Sequence, residues 1–210
     1  MAKTAIKEVH INFPRKEYLQ FFIEVLSNSL KHVEFTLSYK NNGFKVKLYG
    51  ERESVLESVG TVKILGKMLV RSVTPSSEGF YAHHLQLIQQ IGTRIISLDS
   101  LSSVLHHSGV PSSVVNQELI TKAKMEKIQN ILAYLYDLIQ ELPLNIRTQI
   151  MKKVILSVSY CTNLSPEFVI DKALELGYFQ KTPNSITINS EPEKIIEELI
   201  EKLSAEEIKA

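Results

Sequence analysis

Residues 33–48 read VEFTLSYKNNGFKVKL, and their alternation decides the fold of the first half of the chain. Val33, Phe35, Leu37 and Tyr39 share one face of an extended strand, and Phe44, Val46 and Leu48 share one face of the next. Between them stands Lys40-Asn41-Asn42-Gly43, where Asn and Gly tolerate the positive φ that a tight hairpin turn demands. Upstream, residues 5–13 alternate as well, with Val9, Ile11 and Phe13 opposite Glu8, His10 and Asn12. Pro14 suits the first turn of a helix, where its missing N–H costs nothing. Tyr18, Phe22, Val25, Leu26 and Leu30 then recur at helical spacing.

Downstream of the hairpin, Val55, Leu56, Val59, Val62, Leu65, Leu69 and Val70 predict a helix over 51–73. Gly60 and Gly66 weaken it by about 1 kcal/mol each relative to Ala, and close packing against a neighbour is a physical reason to keep them. Residues 74–79 form a loop, a helix through Leu85, Leu87, Ile88 and Ile91 stops at Gly92, and Arg94-Ile95-Ile96-Ser97 reads as a short strand. A sheet with one apolar face must be covered by helices. The order predicts a ferredoxin-like β-α-β-β-α-β domain over 1–98, with one extra helix inserted.

From Asp99 onward the pattern is almost entirely helical, giving a second domain over 99–210 and an α+β fold class. Asp99 and Ser100 are placed to cap a helix that runs to His107 and ends at Ser108-Gly109. Pro111-Ser112-Ser113 starts another, and helical periodicity persists towards Leu142. About 30 residues at 1.5 Å rise would span about 45 Å, so this element is either a spine or breaks near Lys124. A helix over 145–160 follows, then one started by Ser165-Pro166 and stopped by Gly177. Thr182-Pro183-Asn184-Ser185 sits between β-favouring flanks as a small hairpin, and a charged helix from Glu191 buries Ile195, Ile196, Leu199, Ile200 and Leu203.

Composition narrows the classes. With 44% hydrophobic and 22% charged residues among 210, the chain can build a packed core. Its 24 Lys and Arg against 23 Asp and Glu exclude a bulk polycation, so any nucleic-acid contact must come from a local patch. Cys161 is the only cysteine, which excludes an intramolecular disulfide and a multi-cysteine metal site and fits a reducing cytoplasm. The start, MAKTAIKEVHINF, lacks the apolar block of a signal peptide, and no run approaches the roughly 18 apolar residues of a membrane span. The expectation is a cytoplasmic protein without membrane contact.

Three stretches carry candidate binding chemistry. Leu101 to Leu119, with Leu105, Gly109 and Val115, has the spacing of a helix-turn-helix, although an ordinary helical hairpin uses the same turn. Its second helix would present Ser112, Ser113, Asn116, Gln117, Thr121, Lys122 and Lys124 to phosphates and base edges. Residues 150–188 have the layout of a winged helix, but the would-be recognition helix carries Glu167, Asp171, Lys172 and Glu175. That net negative charge suits protein contact better than a DNA groove. The open face of the first sheet would show His10, Asn12, Thr36, Ser38, Lys40, Lys45, Lys47 and Tyr49, a surface that could hold RNA or simply be solvated. Phe44 shares its face with Val46 and Leu48, so it belongs to the core rather than to a base-stacking platform.

Catalytic and cofactor motifs are absent from the sequence: no G-x-S-x-G elbow, no phosphate-binding Gly loop and no G-x-G-x-x-G. The pairs His83-His84 and His106-His107 point about 100° apart on a helix and lack metal-ligand spacing. Cys161, at a helix end, reads as a buried inert thiol. No cofactor and no metal is expected, and the reading leans away from an enzyme. The chain resembles uncharacterised archaeal proteins of about this length in its layout and composition. It is rich in Ile, Lys and Glu, lacks Trp and has one Cys. That resemblance implies an archaeal cytoplasmic protein and supplies no site residues.

The function expected is a non-enzymatic nucleic-acid or ribonucleoprotein-binding module for RNA or DNA. Its contacts are Lys45, Lys47 and Tyr49 on the sheet, with Asn116, Gln117, Lys122, Lys124 and Lys127 on the long helix. Lysines would neutralise phosphates, amides would bond base edges and Tyr49 would stack. One alternative is a protein-interaction or assembly module using the helical domain. The other is a small enzyme without a recognisable motif, whose sign would be a cleft with convergent titratable groups.

Overall fold

Asn41 and Asn42 have φ of 50° and 57°, so the two asparagines make the hairpin turn and Gly43 opens the next strand. This computed structural model describes residues 4–13, 15–91, 96–182 and 186–207. The strands are β1 (Thr4–Asn12), β2 (Glu34–Lys40) and β3 (Gly43–Glu51), antiparallel in the order β1-β3-β2. Gly43 is needed where it stands, since a Cβ there would meet the Ile11 carbonyl oxygen at 2.7 Å. The helices α1 (Leu19–Ser29) and α2 (Arg52–Val73) accompany this sheet, and α2 packs on β1 and β3.

The apolar face is filled by aromatic side chains. Phe13, Phe22 and Phe44 are fully buried, with ring centroids 4.8 Å apart for Phe13–Phe44 and 5.4 Å for Phe22–Phe44. Phe44 is therefore core, as its parity predicts. Gly66 of α2 permits close approach: a Cβ there would lie 2.5 Å from Cδ1 of Ile11, whereas one on Gly60 would meet nothing within 4 Å. Packing accounts for the first glycine and not for the second.

The chain divides into two compact units, Met1–Gln90 and Ile91–Ala210. The first also holds β4 (Tyr81–His84), which the sequence pattern did not reveal, and α3 (Leu85–Ile91) as far as Gln90. Ser72 of α2 donates a hydrogen bond to the carbonyl of Ala82 in β4. Of the strand expected at 94–97, residues 94 and 95 lie outside the described residues. Ile96 is a bend, and Ser97 caps the next helix.

That helix is α4 (Leu98–His107), and its cap is Ser97, whose hydroxyl accepts from the Ser100 N–H at 3.1 Å. Asp99 and Ser100, expected as caps, lie inside it. The long helix expected over 112–142 does not exist as one element. β5 (Ser112–Val115) and β6 (Glu118–Thr121) form a hairpin, and α5 (Met125–Gln140) begins just after Lys124, where the break was anticipated. Asn116 and Gln117 have φ of 49° and 63°, a tight turn rather than a recognition helix, so the helix-turn-helix reading of 101–119 is overturned.

The remaining elements are α6 (Gln149–Thr162), α7 (Pro166–Glu175), β7 (Phe179–Lys181), β8 (Ile186–Ile188) and α8 (Pro192–Glu207). Ser165 caps α7 with Pro166 following, and Gly177 ends it at a φ of 77°. The tip of the β7–β8 hairpin, 183–185, lies outside the described residues. Val154, Ile155 and Val158 of α6, Val169 and Ala173 of α7 and Ile195, Ile196 and Leu199 of α8 share one core with Phe179. The architecture is thus mixed α/β with small antiparallel sheets. Among the described residues no helix is long and apolar enough to cross a membrane.

Candidate functional site

Strand alternation in β3 buries Phe44, Val46 and Leu48 and turns Lys45, Lys47 and Tyr49 to the opposite face of the sheet. Register places Glu8 opposite Lys47, and the carboxylate bonds the diagonal Lys45, with Nζ 2.7 Å from Oε2. That bond holds the Glu8 carboxyl below its ordinary range, helped by the charges of Lys45, Lys47 and His10. Lys47 stands 5.4 Å from the Tyr49 ring centroid, a cation–π pair. The three sequence candidates do share a face, but Glu8 already balances the charge of Lys45.

The other five candidates separate. Asn116 and Gln117 sit exposed in the β5–β6 turn. Lys122, Lys124 and Lys127, all exposed, come together around one open cleft of about 620 Å³. Lys122 lies in the bend just after β6, Lys124 stands at the N-cap of α5 and Lys127 is in its first turn. Gly109, Val110 and Pro111 line the same cleft, and Asn130 adds an amide. Buried Leu119 and Thr121 fix the hairpin beside it, the Thr121 hydroxyl donating to the Pro111 carbonyl at 2.9 Å. Lys124 is the N-cap residue of α5 and makes no side-chain cap bond. The helix start therefore adds its own positive field to that of the lysines. Glu126 is the one carboxylate in the lining, against three lysines.

A third constellation went unread in the sequence. His107 at the end of α4, Lys153 in α6 and Glu193 in the first turn of α8 meet in a cleft of about 420 Å³. His107 Nε2 lies 3.0 Å from Glu193 Oε2, and Lys153 Nζ bonds the other carboxylate oxygen. The His107 side chain is 7% exposed, so its neighbour His106 faces solvent while His107 turns inward. Burial pushes the Glu193 carboxyl up, but its bonds to Lys153 and His107 outweigh this and hold it below the ordinary range.

Asp99, Glu197, Ser102, Ser103 and Ser112 also line this cleft. The Ser102 hydroxyl donates to Ser112 Oγ at 3.2 Å, and Ser112 donates to the Ser102 carbonyl at 2.7 Å. Ser103 accepts from Ser157 at 3.0 Å. Ser102 and Ser112 are thus engaged with each other and Ser103 with Ser157, while Glu193 orients the His107 imidazole. Glu193 lies 40 residues from Lys153 and 86 from His107 in sequence, so no local motif announces the three. The single available signal is Glu193 itself, an acidic residue directly after Pro192 at a helix start, where a carboxylate is favoured.

Elsewhere, Lys172 pairs with Glu175 at 3.1 Å on α7, whose exposed face keeps Glu167 and Asp171. Cys161 is half-buried rather than fully buried as expected, and that partial burial pushes its thiol up to about 11.

The chain belongs to a family described as uncharacterised proteins conserved in archaea (DUF2067), whose model matches residues 11–197. It is 24% identical over 163 residues to an uncharacterised protein of Methanocaldococcus jannaschii, covering 76% of this chain and 77% of that protein. No solved structure matches it.

Proposed function

We propose that this member of the archaeal family is a non-enzymatic nucleic-acid or ribonucleoprotein-binding module that grips a phosphate backbone in the cleft of Lys122, Lys124 and Lys127. One observation carries the reading: three exposed ammonium groups line a single open cleft with one carboxylate among them. Phosphate neutralisation supplies most of the sequence-independent affinity for nucleic acid, and the Asn130 amide offers a donor and an acceptor to a base edge. Lys47 and Tyr49 on the open sheet face form an auxiliary contact, a cation beside a ring on which a base can stack. Lys45 contributes less, because it is paired with Glu8. Asn116 and Gln117 contribute as the exposed tip of the β5–β6 hairpin.

The fold supports this reading at one remove. The strand order β1-β3-β2 with α1 and α2 supports a ferredoxin-like first unit, and α6, α7 and the β7–β8 hairpin support a winged-helix element in the second. Neither fold fixes a ligand. A cytoplasmic location goes with the single free thiol and the archaeal family.

A protein-interaction role has its own support, since Phe168 and Leu176 are 40% and 41% exposed beside Glu167, Asp171 and Glu175. That surface suits a partner with a basic rim. The convergent cleft of His107, Lys153 and Glu193 is what favours a small enzyme.

The discriminating experiment is a binding assay with the purified, nuclease-treated protein on labelled single-stranded RNA and duplex DNA. Reversing Lys122, Lys124 and Lys127 together (K122E/K124E/K127E) abolishes binding on this account. Unchanged affinity in that variant removes the cleft from the interface.

A further inference from the structure

We propose that β2 is the contact edge of a symmetric homodimer, in which two copies of the strand pair antiparallel about Leu37. Among the described residues β2 pairs with β3 alone, so its other edge is an open ladder of backbone N–H and C=O groups. Its apolar side is incompletely covered. Phe35, Leu37 and Tyr39 are only half-buried, and a groove of about 620 Å³ runs beside Phe35 and Leu37, lined also by Ile23, Leu30 and Val33.

The hairpin sets which residues can pair outward. Lys40 and Gly43 flank the two-residue turn and face each other, so they exchange both backbone bonds. Alternation then turns the backbone groups of Ser38, Thr36 and Glu34 towards β3, and those of Tyr39, Leu37 and Phe35 towards the open edge. Antiparallel pairing centred on Leu37 brings these three outward residues against the same three of the second copy, forming about six backbone hydrogen bonds.

The same register is self-complementary in its side chains. Residues 34–40 read EFTLSYK. Centred on Leu37, Glu34 stands opposite the second copy's Lys40, Phe35 opposite its Tyr39 and Thr36 opposite its Ser38, each pair occurring twice. Opposite charges, aromatic pairs and hydroxyl pairs are the favourable cross-strand combinations. A shift by two residues sets Glu34 against Ser38 or Thr36 against Lys40 and loses the charge pairs. A shift by one puts apolar against polar faces, and a parallel arrangement sets Glu34 against Glu34. The occupant that fits this edge is therefore the strand itself, in the isologous geometry of a twofold dimer. One strand and its flank make an interface at the small end, below about 1,200 Å² in total, so the dimer dissociates on dilution.

Sedimentation velocity over about 1–300 μM, a range set by the weak binding expected of an interface that small, tests the proposal. The mass should rise with concentration from 23.8 kDa towards twice that value. E34K sets lysine against lysine twice, and K40E sets glutamate against glutamate twice. Each variant alone should dimerise at least about tenfold more weakly than the natural chain. Mixed in equal amounts, the two restore opposite charges at both ends, and a heterodimer should form with the natural affinity. Recovery in the mixture also shows that both variants fold. A monomer throughout the range overturns the proposal. So does a dimer indifferent to E34K, or a mixture that stays monomeric.

Discussion

Gly60 and Gly66 lie in one helix, six residues apart, and replacing each with Ala should move stability in opposite directions. A Cβ at exposed Gly60 meets nothing within 4 Å, so G60A gains only the helix propensity of Ala, about 0.8–1 kcal/mol. At Gly66 the new Cβ would lie 2.5, 2.9 and 3.0 Å from Cδ1, Cγ1 and Cγ2 of Ile11. Cγ1 and Cγ2 are bonded directly to Cβ and Ile11 is itself buried, so a rotation about χ2, which moves Cδ1 alone, does not clear the space. Overpacking of this kind costs about 1–3 kcal/mol. Set against the same propensity gain, G66A should be net destabilising by up to about 2 kcal/mol.

Urea unfolding followed by circular dichroism measures the difference. At a slope of about 2 kcal/mol per molar, each 1 kcal/mol moves the midpoint by about 0.5 M. The two variants should therefore fall on opposite sides of the natural chain. I11V removes Cδ1, the closest of the three atoms, so G66A should cost less in that background than alone. A G66A variant as stabilised as G60A would refute the packing of α2 on β1 at this point.

Three further outcomes follow from particular residues. E193Q removes the carboxylate shared by His107 and Lys153 and should destabilise the protein by about 1 kcal/mol near neutral pH, a modest figure because Glu193 is partly exposed. Since the folded carboxyl titrates below its ordinary 4.5, the contribution is complete above that pH and is lost as pH falls through the folded value. A gap between the natural chain and E193Q that is unchanged from pH 7 to pH 3 would contradict the bonding described. Cys161, raised to about 11, should react with iodoacetamide at pH 8 about a hundredfold more slowly than free cysteine, and equal rates would contradict its burial. Q117G should stabilise the β5–β6 hairpin by about 1 kcal/mol, because glycine takes positive φ without a Cβ penalty; a lowered melting temperature would contradict the turn geometry.

How far the sequence could be read depended on element length and on how local each signal is. The β2–β3 hairpin was legible because seven and nine residues of alternation leave no helical alternative, and Asn41-Asn42 marks the turn. The starts and stops of α7 were legible from Ser165-Pro166 and Gly177. The β5–β6 hairpin was not. Each strand has four residues, too few to separate a period of 2 from one of 3.6, and its turn uses Asn116-Gln117 in place of a glycine. In the sequence alone, the helical periodicity of α5 therefore runs on backwards across it. Strand β4 is equally short. At the start of α4, Ser97 and Ser100 are both plausible caps by type, and only the backbone geometry selects Ser97.

The candidate sites divide in the same way. Parity alone placed Lys45, Lys47 and Tyr49 on one face and Phe44 in the core, but the Glu8–Lys45 pair depends on a diagonal contact that alternation does not specify. The sequence pattern puts Lys122, Lys124 and Lys127 on one long helix, and the break before α5, not a helix face, gathers them on one cleft. The His107–Glu193–Lys153 cluster joins three helices and had no local trace.

The most direct test of the nucleic-acid reading is a salt titration of single-stranded RNA binding by the natural chain and by K122E/K124E/K127E. Each phosphate neutralised on a single strand contributes about 0.7 to the slope of log K against log salt, so three lysines contribute about 2. Between 50 and 200 mM salt those contacts alone should weaken binding by about 20-fold. The account predicts at least that slope in the natural chain and no measurable binding by the variant at either salt. RNA binding absent at low salt, or indifferent to salt and to the three reversals, would contradict it.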